Sequence, residues 1–439
     1  MPTSSATEAS SAPAGTRSQS RLLTPQSLVL AALVSGALLL RWSLFDVVSA
    51  DYRIFLSNWY AHLAQAGGLA GLGDEFSNYD TPYLALLALL TYLPVDPLVG
   101  IKAISVAFDL VLAFFSYRIV RVVRPESAWL PTVITGIVLF LPTAVMNGSA
   151  WAQCDSIYAS MVLGSLYFLI NRRPWRAAIF FGIAFAFKLQ AVFFLPVLVL
   201  VLVLNRHKLR TLLGAPAAFA ALLIPALVAG RSLLSQLAVY PGQISGSSGA
   251  GGIGAAGPAG GNLVGGGGGS HGGGAGGGGF GGADAVGTGH AFTANAPTPY
   301  AWLPADAGEI WKYVGLGLAA AVALAFGVWL LRRRRPLAAG QVLLVAATAT
   351  MVVPWLLPEM HERYFYLAEV LLVLAIAVDR RMILPAAAIQ IASTITYLSY
   401  LRGRDLISLE LTAVLGLVAA AAAAVVLVVR LRSDDRATP

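Results

Sequence analysis

The chain has 439 residues, of which 57% are hydrophobic and only 11% are charged, with a mean hydropathy of +0.74 and a formal net charge of +8. A soluble protein of this length needs far more charged surface, so the composition excludes an ordinary soluble globular protein. The positive charge does not indicate nucleic-acid binding, because the basic residues flank apolar runs instead of forming one patch.

The N-terminal residues 1–24 are rich in Ser, Ala and Thr, which predicts a disordered cytoplasmic tail. The first apolar run follows Arg17 and Arg21 and continues into Arg41 and Trp42 without a clear cleavage site. A secretory signal is the alternative, but the missing cleavage site favours a retained helix. The single cysteine, Cys154, excludes a disulfide within the chain.

Apolar runs of about 20 residues recur along the chain, each long enough as a helix to cross a hydrocarbon layer of about 30 Å. Backbone polar groups in lipid must be satisfied within the segment, so these runs predict helices. The predicted fold class is an all-α polytopic membrane protein with about 12 transmembrane helices (11–13). The spans are roughly 26–45, 97–119, 128–146, 155–170, 177–189, 190–204, 210–229, 309–331, 338–357, 364–378, 382–400 and 406–430.

The basic residues support this order of spans, because seven clusters holding 20 of the 29 lysines and arginines fall on one side of it. They are Arg17/Arg21, Arg118/Arg121/Arg124, Arg172/Arg173/Arg176, Arg206/Lys208/Arg210, Arg332 to Arg335, Arg380/Arg381 and Arg430/Arg432/Arg436. The positive-inside rule makes that side cytoplasmic.

Two segments are ambiguous. Residues 83–93 lie between Pro82 and Pro94 and are too short to cross comfortably, which predicts a re-entrant or interfacial segment. Residues 177–204 fit either one long helix or two short ones. Two short helices with a tip at Lys188 to Gln190 keep the basic clusters on one side, so we favour them.

The chain therefore divides into a transmembrane module at 25–240 with an external loop at 46–96, further transmembrane helices at 291–431 and a cytoplasmic tail at 432–439. Between the two modules, residues 241–290 contain 25 of the 45 glycines. Such a composition cannot build a core and predicts a flexible extracytoplasmic insertion.

The external loop begins with an amphipathic pattern. Apolar residues including Phe55, Trp59 and Leu63 recur at helical spacing, which predicts a helix lying along the membrane surface. Asp51 stands at its start and could be either a helix cap or a catalytic carboxylate.

Four further polar clusters are predicted to face the same side as Asp51: Trp151 to Asp155, Lys188 to Gln190, Asn295 to Tyr300 and Glu359 to Tyr364. In NGSAWAQCDS (147–156), Trp151 and Gln153 could contact a sugar and Asp155 could accept from its hydroxyls; a loop with an interfacial Trp and a helix cap is the alternative. Lys188 lies among apolar residues and needs a partner, either a phosphate or a carboxylate such as Asp155, unless it reaches to the interface.

The run PWLLPEMHERYFYLAEVLL (354–372) concentrates ionisable groups after Pro354 and Pro358. Glu359, Glu362, Tyr366 and Glu369 recur at spacings that would place them on one helix face. Arg363 carries a planar fork suited to phosphate oxygens. A structural ion-pair network is the alternative.

These motifs resemble the bacterial relatives of the GPI-anchor second mannosyltransferase, within the GT-C superfamily of integral-membrane glycosyltransferases. The resemblance rests on residues 55–93, 101–115, 147–160, 181–198, 295–303 and 357–371. The glycine-rich tract departs from the family pattern, and Asp80-Thr81-Pro82 stands where a Pro-Pro pair is expected.

The resemblance implies a GT-C-like fold and transfer of a sugar, mannose in the family that it resembles, from a polyprenyl-phosphate carrier to a glycan, lipid or protein acceptor, with inversion. It implies Asp51 as the catalytic base, with Asp155 as second choice. Candidate substrate-binding residues are Arg363, His361, Lys188, Glu362, Gln153, Trp151, Gln190 and Tyr79.

The expected location is the cell membrane, with the site on the extracytoplasmic side and membrane lipid around it. A divalent metal is compatible with this chemistry, but no residue pattern implies one, so the cofactor is unknown. A transporter or flippase for lipid-linked sugars is the alternative function, and a ligase or polymerase with a diphosphate-linked donor is a third.

Overall fold

The computed structural model describes residues 24–245 and 292–437, which are almost entirely helical. The helices are α1 (Pro25–Trp42), α2 (Ser57–Gln65), α3 (Thr81–Leu90), α4 (Pro97–Val123), α5 (Leu130–Leu139), α6 (Pro142–Ser149), α7 (Asp155–Ile170), α8 (Pro174–Phe187), α9 (Leu195–Leu204), α10 (Gly214–Val228), α11 (Leu233–Ser245), α12 (Ile310–Arg332), α13 (Ala339–Leu356), α14 (Tyr366–Ala375), α15 (Ile383–Arg402) and α16 (Leu409–Ala437).

Two short strands pair in parallel, β1 (Thr293–Ala294) and β2 (Met360–His361). A π-helical turn covers Tyr52–Leu56 and leads into α2. Tight 3₁₀ turns join several helices, at Gly68–Gly73, Leu189–Phe194, Leu209–Leu213, Pro299–Trp302, Glu362–Phe365 and Arg380–Met382.

Prolines determine where many of the helices begin. Pro97, Pro131, Pro142 and Pro174 each occupy the first turn of a helix, where a backbone N–H has no intrahelical partner to lose. Pro142 also separates α5 from α6, which meet at an angle of 48°. Proline therefore breaks apolar runs that would otherwise continue as one helix.

The core is centred on α7 and α14. All ten residues of α14 are buried, and Leu163 and Leu166 of α7 are fully enclosed. By contrast, α12 exposes many large apolar side chains, among them Leu316 and Leu324. A helix with such an exposed apolar surface is suited to contact with lipid.

Several of the basic clusters meet at one end of the helix bundle. Arg124 Nε donates to the carbonyl oxygen of Ala377 (2.6 Å), and Arg333 pairs with Asp435 (2.6 Å). The first contact joins the ends of α4 and α14 and the second joins the ends of α12 and α16, which agrees with these clusters lying on one side of the predicted spans. That this end is cytoplasmic stays a prediction.

Seven of the described helices are long and apolar enough to cross a membrane, or eight if α5 and α6 form one bent span. Shorter apolar helices, including α3, α7 and α8, have 10–17 residues. The chain is therefore an all-α protein with several candidate membrane spans, and the count of 12 stays a prediction.

Both segments that were ambiguous in the sequence are built from short helices. Residues 83–93 fall largely in α3, which ends at Leu90. Residues 177–204 are broken at Lys188, whose backbone is extended (φ −161°, ψ 133°), so α8 and α9 are separate helices as we favoured. The amphipathic segment forms the π-helical turn and α2, with Leu56, Trp59 and Leu63 buried; its contact with a membrane surface stays a prediction.

The single helix face predicted for Glu359, Glu362, Tyr366 and Glu369 is wrong, because the α-helix begins only at Tyr366. Glu359 follows Pro358 with a positive φ of 60° and pairs with Lys312 (2.7 Å). The helix α16 continues to Ala437, into the predicted tail. The glycine-rich tract from 246 and the N-terminal residues 1–23 lie outside the described residues.

We expect Gly182→Ala to destabilise the protein, because a Cβ there would lie 2.2 Å from the carbonyl oxygen of Ala215 where α8 meets α10. Overpacking of this kind costs about 1–3 kcal/mol of the free energy of unfolding. Gly317→Ala in α12 is the matched control, because no atom lies within 4 Å of its Cβ position. Thermal unfolding in detergent micelles would test this, and equal midpoints for the two variants would contradict it.

Candidate functional site

The loop before Asp51 is fixed by a lysine of α4. Lys102 is fully buried, and its ammonium donates to the carbonyl oxygens of Leu44 (2.9 Å), Phe45 (2.8 Å) and Val47 (2.6 Å). These carbonyls follow the C-terminus of α1, where acceptors without intrahelical partners and the negative end of the helix dipole favour a cation. Lys102 therefore orders the path of the chain that leads to Asp51.

The same helix also fixes the 151–153 segment. Ser105, one turn after Lys102, donates from Oγ to the carbonyl oxygen of Gln153 (2.7 Å). Ser49, two residues before Asp51, donates to the carbonyl oxygen of Trp151 (2.6 Å). The Ser49 hydroxyl thus joins two segments that lie about a hundred residues apart in the chain, and the Ser105 hydroxyl ties the second of them to α4.

The Asp51 carboxylate is buried and accepts from three side chains. Trp151 Nε1 (3.0 Å) and Gln153 Nε2 (2.5 Å) donate to Oδ2, and the Tyr400 hydroxyl donates to Oδ1 (2.5 Å). Its side chain makes no capping hydrogen bond to the helical turn that it begins. The cap alternative therefore does not describe Asp51, whose partners come from distant parts of the chain.

A cation completes this cluster. Arg363 Nη1 lies 3.8 Å from Asp51 Oδ2, and its guanidinium sits over the Trp151 ring at 5.6 Å from the centroid. Trp151 in turn stacks on Tyr400 with centroids 4.5 Å apart. Within the described residues, Arg363 Nε has no hydrogen-bond partner, so the fork retains a donor.

Asp155 and Lys188 form a second buried pair. Asp155 is wholly buried; one carboxylate oxygen accepts from Lys188 Nζ and the other from Asn147 Nδ2 (2.8 Å). The sequence left either a phosphate or a carboxylate as the partner of Lys188, and in the structure its partner is the Asp155 carboxylate. The pair joins the start of α7 to the break after α8, and so fixes where Lys188 lies.

These groups surround an open cavity of about 770 Å³ of empty space, counting its mouth. Six of the ten predicted site residues line it: Asp51, Tyr79, Gln153, Lys188, Gln190 and Arg363. Trp151, Asp155, Glu362 and His361 lie outside its lining. Trp151 and Asp155 instead contact residues that line the cavity, and His361 belongs to β2, where it pairs with β1 and bridges to Asn295.

Glu362 is buried beside the cluster, and neither of its carboxylate oxygens has a hydrogen-bond partner among the described residues. Burial raises the pKa of Glu362 to about 7, although the nearby Arg363 acts in the opposite direction. The carboxylates of Asp51 and Asp155 also raise it.

Sequence reasoning missed Tyr400 and Asp80. Tyr400 lies at the end of a long apolar run, where a tyrosine is typical of a membrane interface, so nothing marked it as a partner of Asp51. Asp80 was noted only as a departure from the family pattern, yet it is buried and lines the cavity. Between 24 and 245 and from 292 to 437, no group of three His, Cys, Asp or Glu residues is placed to hold a metal ion.

Residues 78–249 match the model of glycosyltransferase family 87. The match supports a membrane glycosyltransferase. The matched segment contains Gln153, Asp155, Lys188 and Gln190, while Asp51, Arg363 and Tyr400 lie outside it. No curated protein sequence matches the chain.

We expect Lys188→Met to cost about 3–5 kcal/mol of stability, because it leaves the wholly buried Asp155 carboxylate without its cation. The double variant Lys188→Met with Asp155→Asn removes both charges and should be more stable than Lys188→Met alone. Thermal unfolding in micelles measures both. Additive losses from the two substitutions would contradict the pairing.

The stability of the protein should fall as the pH rises from about 4.5 to about 7, owing in part to Glu362. The folded-state pKa of Glu362 lies above its ordinary value of 4.5, so in this window the folded protein binds more protons than the unfolded chain. Glu362→Gln should flatten this dependence. Unfolding midpoints across that pH range provide the measurement, and an unchanged slope in the variant would exclude this role for Glu362.

Proposed function

We propose that the protein transfers a sugar from a polyprenyl-phosphate carrier to an acceptor hydroxyl on the extracytoplasmic side, with inversion at the anomeric carbon. The single observation that carries the proposal is the placement of the Asp51 carboxylate in one cavity with the cations Arg363 and Lys188. The family match of residues 78–249 supports the transfer of a sugar. Mannose as the sugar rests on the family resemblance alone.

Asp51 is the proposed general base. It accepts the proton of the acceptor hydroxyl as the hydroxyl oxygen attacks the anomeric carbon, and the bond from that carbon to the phosphate oxygen breaks. Trp151, Gln153 and Tyr400 hold the carboxylate in one orientation, so little reorganisation is needed before proton transfer.

Arg363 and Lys188 are the proposed phosphate contacts. The leaving group is a lipid-linked phosphate, on which negative charge increases as the bond breaks, and positioned cations stabilise that charge. Arg363 lines the cavity, so its guanidinium can donate to a phosphate oxygen there. Lys188 uses one of its three N–H donors in the hydrogen bond to Asp155 and keeps the others for the ligand.

We propose that the carrier's tail lies in an apolar cavity beside α9. This cavity has about 1390 Å³ of empty space, counting the open solvent at its mouth, and it is lined by residues from Phe193 to Val203, by residues of α12 and by residues from Val345 to Val353 on α13. Phe193 lies three residues after Gln190, which lines the polar cavity. A phosphate held by Lys188 would therefore lie near the start of this apolar surface, as an isoprenoid phosphate requires.

Asp51→Asn should lower the transfer rate about 100-fold to 10,000-fold, the range that a general base supplies. The measurement is transfer of labelled mannose from polyprenyl-phosphate-mannose by membranes of a deletion strain expressing each variant at matched levels. Asp46→Asn, an exposed carboxylate in the same loop, is the control and should retain wild-type transfer. A rate for Asp51→Asn close to that of the control would remove the proposed base.

A further inference from the structure

The cavity lining has two chemically different parts. Lys188, Gln190 and Arg363 form what we call the cation side. Phe55, Trp59, Asn78, Tyr79, Asp80 and Tyr83 form the aromatic side, which carries no cationic side chain. The proposed function uses Asp51 and the cation side and leaves the aromatic side without a role.

The aromatic side is a continuous surface of rings. Trp59 contacts Phe55 (centroids 5.8 Å apart) and Tyr79 (5.4 Å), and Tyr79 contacts Tyr83 (5.1 Å). The rings are tilted by 42–56° relative to their neighbours, so they do not shield one another by stacking face to face. Aromatic surfaces of this kind pack against the C–H faces of sugar rings.

Asp80 sets the charge preference of this side. It is only 3% exposed, and it lies near Arg231 and Tyr240. A carboxylate in the lining accepts hydrogen bonds from hydroxyl groups, and the neighbouring Asn78 amide offers both a donor and an acceptor. Among the described residues, no cationic side chain lines this side, so an uncharged polyhydroxyl ligand finds hydrogen-bond partners here, whereas a phosphate finds no ion-pair partner in the lining.

The aromatic side continues directly from the base. Asp51, Phe55 and Trp59 follow one another at intervals of four residues along the helical segment that starts at Asp51, and all three line the cavity. Residues at this spacing share a helix face. Eight residues of helix span about 12 Å, which is longer than one hexose ring.

We infer that the aromatic side is the acceptor subsite and that it binds an uncharged oligosaccharide, with Trp59 supplying the stacking surface and Asp80 accepting from the sugar hydroxyls. The assignment of this subsite to the acceptor rests on the proposed function, because that function assigns the cation side to the donor. The acceptor hydroxyl would then lie beside Asp51, while further sugar units extend along α2.

Direct binding to the full chain in lipid nanodiscs tests the inference without requiring transfer. The probes are α-mannotriose and maltotriose as neutral trisaccharides, methyl α-mannoside as a single sugar, trigalacturonate as the anionic match, and farnesyl phosphate for the cation side. We expect the wild type to bind a neutral trisaccharide more tightly than the single sugar and about tenfold more tightly than trigalacturonate.

Trp59→Leu and Asp80→Asn should each weaken binding of the neutral trisaccharide about tenfold, and Asp80→Asn should also reduce the discrimination against trigalacturonate. The affinity for farnesyl phosphate should be the same in both variants as in the wild type, which shows that the variants are folded. Arg363→Gln should bind farnesyl phosphate more weakly than the wild type. Trp129→Leu and Asp74→Asn, two exposed residues outside the cavity lining, are matched controls.

Neutral trisaccharide binding that is absent in the wild type at millimolar concentrations, or that is unchanged in both variants, overturns the inference. Sugar transfer by the wild type that depends on Asp51 would leave the proposed function intact in that case. Conversely, trisaccharide binding that depends on Trp59 and Asp80, in a protein that transfers no sugar, would retain the subsite and reject the transferase.

A dodecyl-linked trisaccharide distinguishes the two sources of the acceptor. If it binds more tightly than the free trisaccharide at equal concentration, the acceptor is a glycolipid, and if both bind equally, the acceptor is a free glycan.

Discussion

Burying a carboxylate at the edge of a helix bundle is costly unless donors surround it, and this constraint organises the site. The Asp51 carboxylate accepts hydrogen bonds from the indole of Trp151, the amide of Gln153 and the phenol of Tyr400. The guanidinium of Arg363 lies at a longer distance. Because the donors come from the 151–153 segment, the turn before α14 and the end of α15, satisfying one charge joins distant parts of the chain. The cavity is the space between them.

The helix α4 supports this arrangement with a polar stripe. Lys102, Ser105 and Asp109 recur at i, i+3 and i+7, and each is buried. Lys102 donates to backbone carbonyl oxygens of the loop before Asp51, and Ser105 donates to the carbonyl oxygen of Gln153. Asp109 pairs with Arg41 (2.8 Å) inside the bundle. The positions of the two loops are therefore set by a helix none of whose residues is in the described lining of the cavity.

The asymmetry of the cavity follows from where the charges lie. The cations come from the break at Lys188 and from the 3₁₀ turn containing Arg363, whereas the carboxylate Asp80 and the rings come from residues 55–83. Asp51 lines the same cavity as both groups. Under the proposed function and the inferred subsite, a phosphate-bearing donor and an uncharged acceptor would contact different side chains of this cavity.

The sequence by itself determined the helical class, many helix starts and the polar clusters, because hydrophobicity, proline and charge act over a few residues. It correctly indicated the break at Lys188, and it named six residues of the cavity lining. Only the tertiary structure decided that Tyr400, 349 residues from Asp51, donates to it, and that Lys102 holds three backbone carbonyls. Backbone acceptors have no sequence signature, and a partner that distant is specified by packing alone. The helix face predicted for Glu359 and Glu362 failed for the same reason, since a strand pairing with residues 293–295 replaced the local helical preference.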